Sequence, residues 1–295
     1  MTAQYRILIA GKSGQIARAL RARKHPVFAL YSHGREEMDI TSEADIRSTF
    51  QTARPNLVIN TAAYTDVDQA EQVSDLAYAV NAEGARNLAR ISADAGVPII
   101  HLSTDFVFDG IKSAPYVESD PTAPLGVYGQ SKLEGERAVA ALNPNHLIIR
   151  TAWIFSPYGR NFVSTMLDLA KTRNELGVVS DQIGSPTSAD DIAEGLLALA
   201  ETVLAKPDTL HAGLYHMTGR GQASRAELAA FALQVSAELG GPAADITPIS
   251  SAQYPTAAKR PANSCLDCSK LEQTYSIRLK AWRDTVRTVV GRLIN

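Results

Sequence analysis

Short, unbroken apolar runs alternate along the chain with longer segments whose apolar residues recur every three or four positions. "YRILIAG" (5–11), "PVFALY" (26–31), "NLVINTAA" (56–63), "PIIHLST" (98–104) and "HLIIRTAWIF" (146–155) are the apolar runs. They have the length of strands, and their continuity predicts burial on both faces. Between them, "GQIARALRAR" (14–23), "SEADIRSTFQTA" (42–53), "LAYAVNAEGARNLARISADAG" (76–96) and "SKLEGERAVAAL" (131–142) carry a helical period. Ser42 stands where an N-cap belongs, and the third helix ends at a glycine. Such alternation predicts a parallel sheet with helices on both faces, joined by right-handed crossovers. This is a doubly wound, Rossmann-like α/β fold.

Past residue 155 the alternation loosens. "TPISSAQYPTAAKRPANSC" (247–265) is loop-rich and contains three prolines. Within this later part, "SADDIAEGLLALAETVLA" (188–205) again has a helical pattern. The expected organisation is a main domain over 1–152, to which 187–206 returns. A smaller C-terminal α/β lobe is expected over 153–186 and 207–295.

Composition narrows the classes. The 295 residues are 45% hydrophobic and 20% charged, an ordinary globular balance. Twenty-nine basic and 31 acidic residues give a net charge of -2, with no long block of one sign. Neither nucleic acid nor an anionic membrane surface is implied. The longest apolar runs, such as "VPIIHL", are too short to span a bilayer. "MTAQYRILIAG" enters a strand pattern directly and has no signal-peptide layout, so a cytoplasmic protein is expected. Cys265 and Cys268 form a single C-x-x-C with no second pair or nearby histidine pair to complete a zinc site. Reduced, incidental thiols are expected.

"ILIAGKSGQIARAL" sets Gly11 and Gly14 between the first strand and first helix, with Ala17 in the third small position. Small residues there permit a tight turn and let a pyrophosphate approach the free N–H groups of the helix. Lys12, Ser13, Gln15 and Ile16 complete the expected cofactor loop. Gly11-Lys12-Ser13 does not make it a Walker loop, because that pattern needs a glycine five residues before Gly11, where Arg6 stands. After the second strand, "ALYSHGR" carries no acid but offers Arg35, which would pair with a 2′-phosphate. The same arginine is equally well an ordinary solvated loop charge. Asp39 and Ile40 stand where a polar and an apolar side chain would grip an adenine. NADPH is therefore the expected cofactor, with NADH also open, and the main domain the expected dinucleotide-binding unit.

"GVYGQSK" places Tyr128 and Lys132 four residues apart, on one helix face. Alone, Y-x-x-x-K is most simply a surface pair. Beside a nicotinamide it acquires a chemical role, because ketone reduction needs a hydride from the cofactor and a proton for the oxygen. A phenol can give that proton, and a neighbouring ammonium is expected to lower its value from near 10. "HLSTDFVFDG" supplies Ser103 and Thr104 at the carboxyl end of a strand, where such sheets bind ligands.

With those residues goes a resemblance over nearly the full length. "ILIAGKSGQIA", "NTAAYTDVDQAE", "AVNAEGARNLA", "HLSTDFVFDG", "PLGVYGQSKLEGE", "RTAWIF", "GRNFVSTML", "DQIGSPTSADDIA", "GLYHMTGRG" and "KRPANSCLD" carry it. The chain resembles the extended short-chain dehydrogenase/reductases and, within them, is similar to the dTDP-4-dehydrorhamnose reductases. The resemblance implies reduction of the C4 keto group of a dTDP-sugar, with Tyr128 as acid, Lys132 as its partner and Thr104 as third catalytic residue. It implies that Ala62, Ala63 and Tyr64 line the cofactor beside Leu102. It also implies that Val67, Thr104, Asp105, Phe106 and Trp153 face the substrate. Three departures stand out. Phe106 occupies a position that is tyrosine in many relatives. The cysteines in "SCLDCSK" are unexpected. The magnesium that some relatives bind at a dimer interface is not carried over, because Gln15 is in the loop and the chain ends "GRLIN". No metal is expected, and a homodimer stays open. A dehydratase would need an acid at Phe106. Another nucleotide-sugar 4-ketoreductase, a 4-epimerase and a non-catalytic regulatory subunit on the same fold are the remaining alternatives.

Overall fold

The computed structural model describes residues 5–206 and 210–294. The first part runs β1 (Tyr5–Ala10), α1 (Gln15–Arg21), β2 (Phe28–His33), α2 (Glu43–Ala53), β3 (Leu57–Asn60), α3 (Val67–Ala70), α4 (Ser74–Tyr78), a π-helical turn (Ala79–Gly84), α5 (Ala85–Asp94), β4 (Ile99–Thr104), α6 (Val127–Leu142) and β5 (His146–Thr151). The second runs β6 (Ile154–Phe155), α7 (Phe162–Ala170), β7 (Glu175–Val179), β8 (Ile183–Gly184), β9 (Thr187–Ser188), α8 (Ala189–Ala205), β10 (Gly213–His216), β11 (Ala223–Ser224), α9 (Arg225–Glu238), β12 (Asp245–Ile249), α10 (Ser269–Tyr275) and α11 (Trp282–Ile294).

Six parallel strands form the central sheet in the order β10-β5-β4-β3-β1-β2. Alternation along each strand sends side chains to opposite faces. On β1, Ile7 and Ile9 join Leu20 of α1 and Ile192 and Leu196 of α8 in one apolar cluster. Leu8 and Ala10 join Ile46 of α2, Leu88 of α5 and Val139 of α6 in another. Both faces are thus covered, as continuous apolar strands require. The chain reverses its direction of travel between β1 and β3, which opens a crevice at their carboxyl ends. Gly11, at φ +106°, makes the turn out of β1, and a Cβ there would stand 2.5 Å from Thr61 Oγ1.

A separate apolar cluster unites Val163 and Leu167 of α7, Leu233 of α9, and Trp282, Val286 and Val289 of α11. Helix α8 packs on the central sheet through Ile192 and Leu196. One strand departs from the expected division: β10, within the expected 207–295 lobe, pairs with β5 and extends the central sheet. Residues 207–209 of that span lie outside the described residues.

Three local differences matter at the site. Helix α6 begins at Val127, four residues before the predicted start, so Tyr128 sits in its first turn. The long third helix is interrupted by the π-helical turn 79–84. The strand predicted over 146–155 stops at Thr151, because Trp153 adopts φ +46° and breaks it before β6.

Candidate active site

Strand β4 ends in Leu102, Ser103 and Thr104, all buried, at the mouth of the crevice. Thr104 caps the following turn: its Oγ1 accepts from Phe106 N at 3.2 Å and donates to Asp105 Oδ1 at 3.1 Å. Helix α6 lies across this ledge. Lys132, 3% exposed, donates from Nζ to the Leu102 carbonyl at 2.6 Å. Tyr128, one turn earlier, meets the Phe106 ring edge-on at 5.5 Å between centroids. Gly129 allows this approach, since a Cβ there would lie 2.2 Å from the Phe106 carbonyl oxygen.

The π-helical turn braces the same helix. Asn81 receives Tyr64 N at 2.8 Å and donates to Tyr64 O at 3.1 Å and to Ser131 Oγ at 3.0 Å. Ser131 Oγ in turn donates to Tyr128 O at 2.9 Å. Gly135 makes room for the turn, since a Cβ there would sit 2.2 Å from Asn81 O.

A cleft of about 570 Å³ joins these groups to the glycine loop. Ser13, Gly14, Gln15 and Ile16 line one end, and Ala63, Val67, Leu102, Thr104, Asp105, Phe106, Tyr128, Lys132 and Trp153 line the rest. Most expected site residues are therefore brought together. Gly11 turns the loop behind the lining, and Ala62 and Tyr64 flank Ala63, with Tyr64 held by Asn81. Lys12, Arg35, Asp39 and Ile40 lie beyond the cleft. Ile40 belongs to the core, 5% exposed and packed against Gly84, so it offers no open face to an adenine. Arg35 Nε pairs with Asp39 Oδ2 at 3.1 Å. Two acids follow the "ALYSHGR" stretch, and one of them, Glu37, is ion-paired with Lys12 and accepts from Gly34 N at 2.9 Å.

Trp153 stands in the cleft, but its indole N–H donates to Ser264 Oγ at 3.0 Å and is not free for a sugar. Its ring lies under Arg225, whose guanidinium carbon is 3.5 Å from the ring centroid. Arg260 pairs with Asp68 of α3 at 2.6 Å. These two arginines also line a second cavity, of about 490 Å³, walled by Phe162, Met166, Leu169, Leu176, Val178 and Tyr254. The sequence motifs did not single out Arg225, Arg260, Asn81 or Ser264 for a role. Three of these lie inside stretches that carry the resemblance, while Arg225 lies outside them, at the start of α9.

Electrostatics follow from burial. Desolvation pushes the Tyr128 phenol up to about 12, with the Asp105 charge adding to it and a hydrogen bond with Thr104 opposing. The expected depression by Lys132 is not what this geometry gives. Desolvation brings Lys132 down to about 8, opposed by the Glu136 charge. Burial raises Asp105 to about 6, partly offset by Ser264, Thr104 and Arg225. Arg225 falls to about 10 through burial, with Asp105 opposing. Both thiols are free, and burial raises both, Cys265 to about 11. Among the described residues, no group of three or more His, Cys, Asp or Glu is arranged to hold a metal ion.

Comparison with known proteins bears on this geometry directly. The family model described as the RmlD substrate binding domain matches residues 5–294. A dTDP-4-dehydrorhamnose reductase of Sinorhizobium fredii is 47% identical over 289 residues, covering 98% of each chain. The chain belongs to the dTDP-4-dehydrorhamnose reductase family. A solved reductase of that name from Clostridium acetobutylicum superposes with a TM-score of 0.91 at 37% identity, covering 98% of this chain and 99% of that one. A second, from Bacillus anthracis in complex with NADP, gives 0.88 at 33% identity, over 97% and 98% of the two chains. Family membership makes the Thr104, Tyr128 and Lys132 cleft of this reductase its candidate catalytic centre. The arginine pair and apolar cavity beside it are the candidate subsite for a nucleotide-linked sugar.

Proposed function

We propose that this chain reduces the C4 keto group of dTDP-4-dehydro-β-L-rhamnose to give dTDP-L-rhamnose, with NADPH as donor and NADH as the second. The observation that carries it is convergence: Thr104, Tyr128 and Lys132 meet in one cleft that the glycine loop, Arg225 and Arg260 also line. The loop suits a dinucleotide. Gly14 begins α1 without a side-chain cap, and a Cβ at Gly14 would meet nothing within 4 Å, so the first N–H groups are open to a pyrophosphate. The bound nicotinamide supplies the hydride.

This chain's residues do the rest. The Thr104 hydroxyl, turned from Asp105 Oδ1, donates its proton to the ketone oxygen and fixes its distance from Tyr128. The Tyr128 hydroxyl gives its proton as negative charge develops on that oxygen. Its raised value keeps the phenol protonated at neutral pH, the form that reduction uses, and an alkoxide is basic enough to take the proton. Lys132, anchored on the Leu102 carbonyl, would hold the nicotinamide ribose and bring a positive charge to the cleft. Arg225 and Arg260 pair with the diphosphate, and the apolar cavity takes the thymine ring. Phe106, lacking a carboxyl group, argues against dehydration.

The domain division goes with this reading: 1–152 with 187–206 for the cofactor, and 153–186 with 207–295 for the sugar, β10 excepted. A cytoplasmic location goes with it too; among the described residues no helix is long and apolar enough to cross a membrane. The test is to supply dTDP-4-keto-6-deoxyglucose, a 3,5-epimerase and NADPH, and to identify the product by NMR. dTDP-L-rhamnose is expected. No cofactor oxidation, or a product of opposite C4 configuration, would overturn the proposal.

A further inference from the structure

Beneath α6 lies a buried ion pair that the proposed chemistry does not use. Glu136 stands one turn beyond Lys132 on the inner face of the helix, and the two are 5% and 3% exposed. Arg150 of β5 meets its carboxylate side-on. Nε donates to Oε1 at 2.8 Å, and the second terminal nitrogen donates to Oε2 at 2.6 Å. Arg150 is itself 3% exposed and lies over the Phe108 ring at 5.0 Å. Its other terminal nitrogen has no partner among the described residues. In the sheet, Arg150 is in register with Ser103, between Leu102, which anchors Lys132, and Thr104. The pair therefore ties the active-site helix to the ledge that carries the other reacting groups.

Apolar packing would stabilise such a position about as well as a buried ion pair, so the pair calls for a role beyond stability. The charged and titratable groups around Lys132 show which role. Glu136 is on its own helix, with Tyr128 one turn before. His101 comes from β4 and Asp105 from the turn after it. Arg150 comes from β5, with His216 of β10 behind it, and Glu71 meets the start of α6 at Val127 N. Burial keeps His101 and His216 neutral. Glu136 is the countercharge acting on the Lys132 ammonium, and Arg150 fixes where that countercharge sits.

We propose that Glu136, locked by Arg150, is a positioning residue for the reaction: one turn from Lys132 on the same buried face, it keeps that residue positively charged in the cleft it shares with Tyr128. This rests on Lys132 holding the ribose as a cation, as proposed above.

The test is the pH profile of kcat/KM for the sugar. Glu136→Gln keeps the shape and removes the charge, so the alkaline limb should move down by about one pH unit or more. Its loss of activity should be modest below the limb and exceed roughly tenfold above it. Because Glu136→Gln leaves Arg150 buried without its anion, the double variant Glu136→Gln/Arg150→Met is measured beside it. That variant removes both charges, should recover melting temperature, and should keep a downward shift of the limb. A limb that stays in place in both variants, with only melting temperature affected, would make the pair structural and overturn the proposal. Lys132→Met, run in parallel, separates the two ideas. If it keeps both turnover and limb, the assignment of Lys132 fails. If it loses them while the Glu136 variants leave the limb unmoved, only this inference fails.

Discussion

Arg225 of α9 lies over Trp153, its guanidinium carbon 3.5 Å from the ring centroid, at the point where the strand leaving the central sheet is broken. Each supports the other. The indole is fixed by Ser264 and backed by Gly184, where a Cβ would fall 2.2 Å from the ring. It gives the guanidinium a flat seat facing the cleft. Arg225→Met should raise KM for the sugar nucleotide by about tenfold to a hundredfold, the scale of a lost charge-assisted hydrogen bond. NADPH affinity should stay put. Arg225→Lys should not rescue it, because an ammonium does not stack as a plane. A double-mutant cycle with Trp153→Ala should show coupling above about 0.5 kcal/mol. Additive effects with an unchanged KM would remove both from the substrate site.

Tyr128 is assigned the proton donation. Tyr128→Phe keeps the ring and its edge-on contact with Phe106, so folding should be little affected. Turnover should fall by at least roughly a hundredfold. Turnover near that of the unaltered enzyme would end the assignment.

Asp105 gives a prediction in stability. Its folded value, about 6, is raised above the usual carboxylate range by burial. The folded state therefore holds a proton that the unfolded chain has already released. Its contribution to stability is present below about pH 4 and is lost as pH rises to about 6, with a size of about 3 kcal/mol at most. Asp105→Asn stays neutral throughout. Its melting temperature, compared with that of the unaltered protein across pH 4 to 7, should gain on it as pH rises. Parallel curves would show that Asp105 does not titrate as proposed.

Much of this could be read from the sequence because local rules carried it. Continuous apolar strands with spaced helices gave the doubly wound sheet, and Ser42 caps α2 through Asp45 N as its residue type suggests. Tyr128, Lys132 and Thr104 stand out because chemistry restricts their residue types. What escaped depends on long-range contacts. Arg225 and Arg260 come from distant segments and share a cavity only once α9 and the 258–264 loop fold over the cleft. Ile40 has the type of a pocket wall, yet Gly84 admits it to the core. Trp153 in a positive-φ conformation is invisible to propensity, which favours extending the strand.

Cofactor choice depends on two exposed ion pairs. Arg35 reaches Asp39 through Nε, which leaves its terminal nitrogens for a 2′-phosphate. Lys12, the other cation, is engaged by Glu37, an acid the phosphate would meet. The Arg35 side chain is 77% exposed, and those of Lys12 and Glu37 are 43% and 38% exposed, so solvent screens all three. Each should change kcat/KM by no more than about fivefold. NADPH should accordingly be used at least as well as NADH, without strong exclusion of either. Arg35→Ala should lower kcat/KM for NADPH by about twofold to fivefold and spare NADH. Glu37→Gln should shift preference the other way, by releasing Lys12 and removing a repelling charge. Both shifts should shrink as salt is raised, because the charges involved are exposed. A preference for NADH above about tenfold, or roughly 1.4 kcal/mol, would exceed what this screened cluster allows. It would mean that the 2′-phosphate meets Glu37 rather than Arg35.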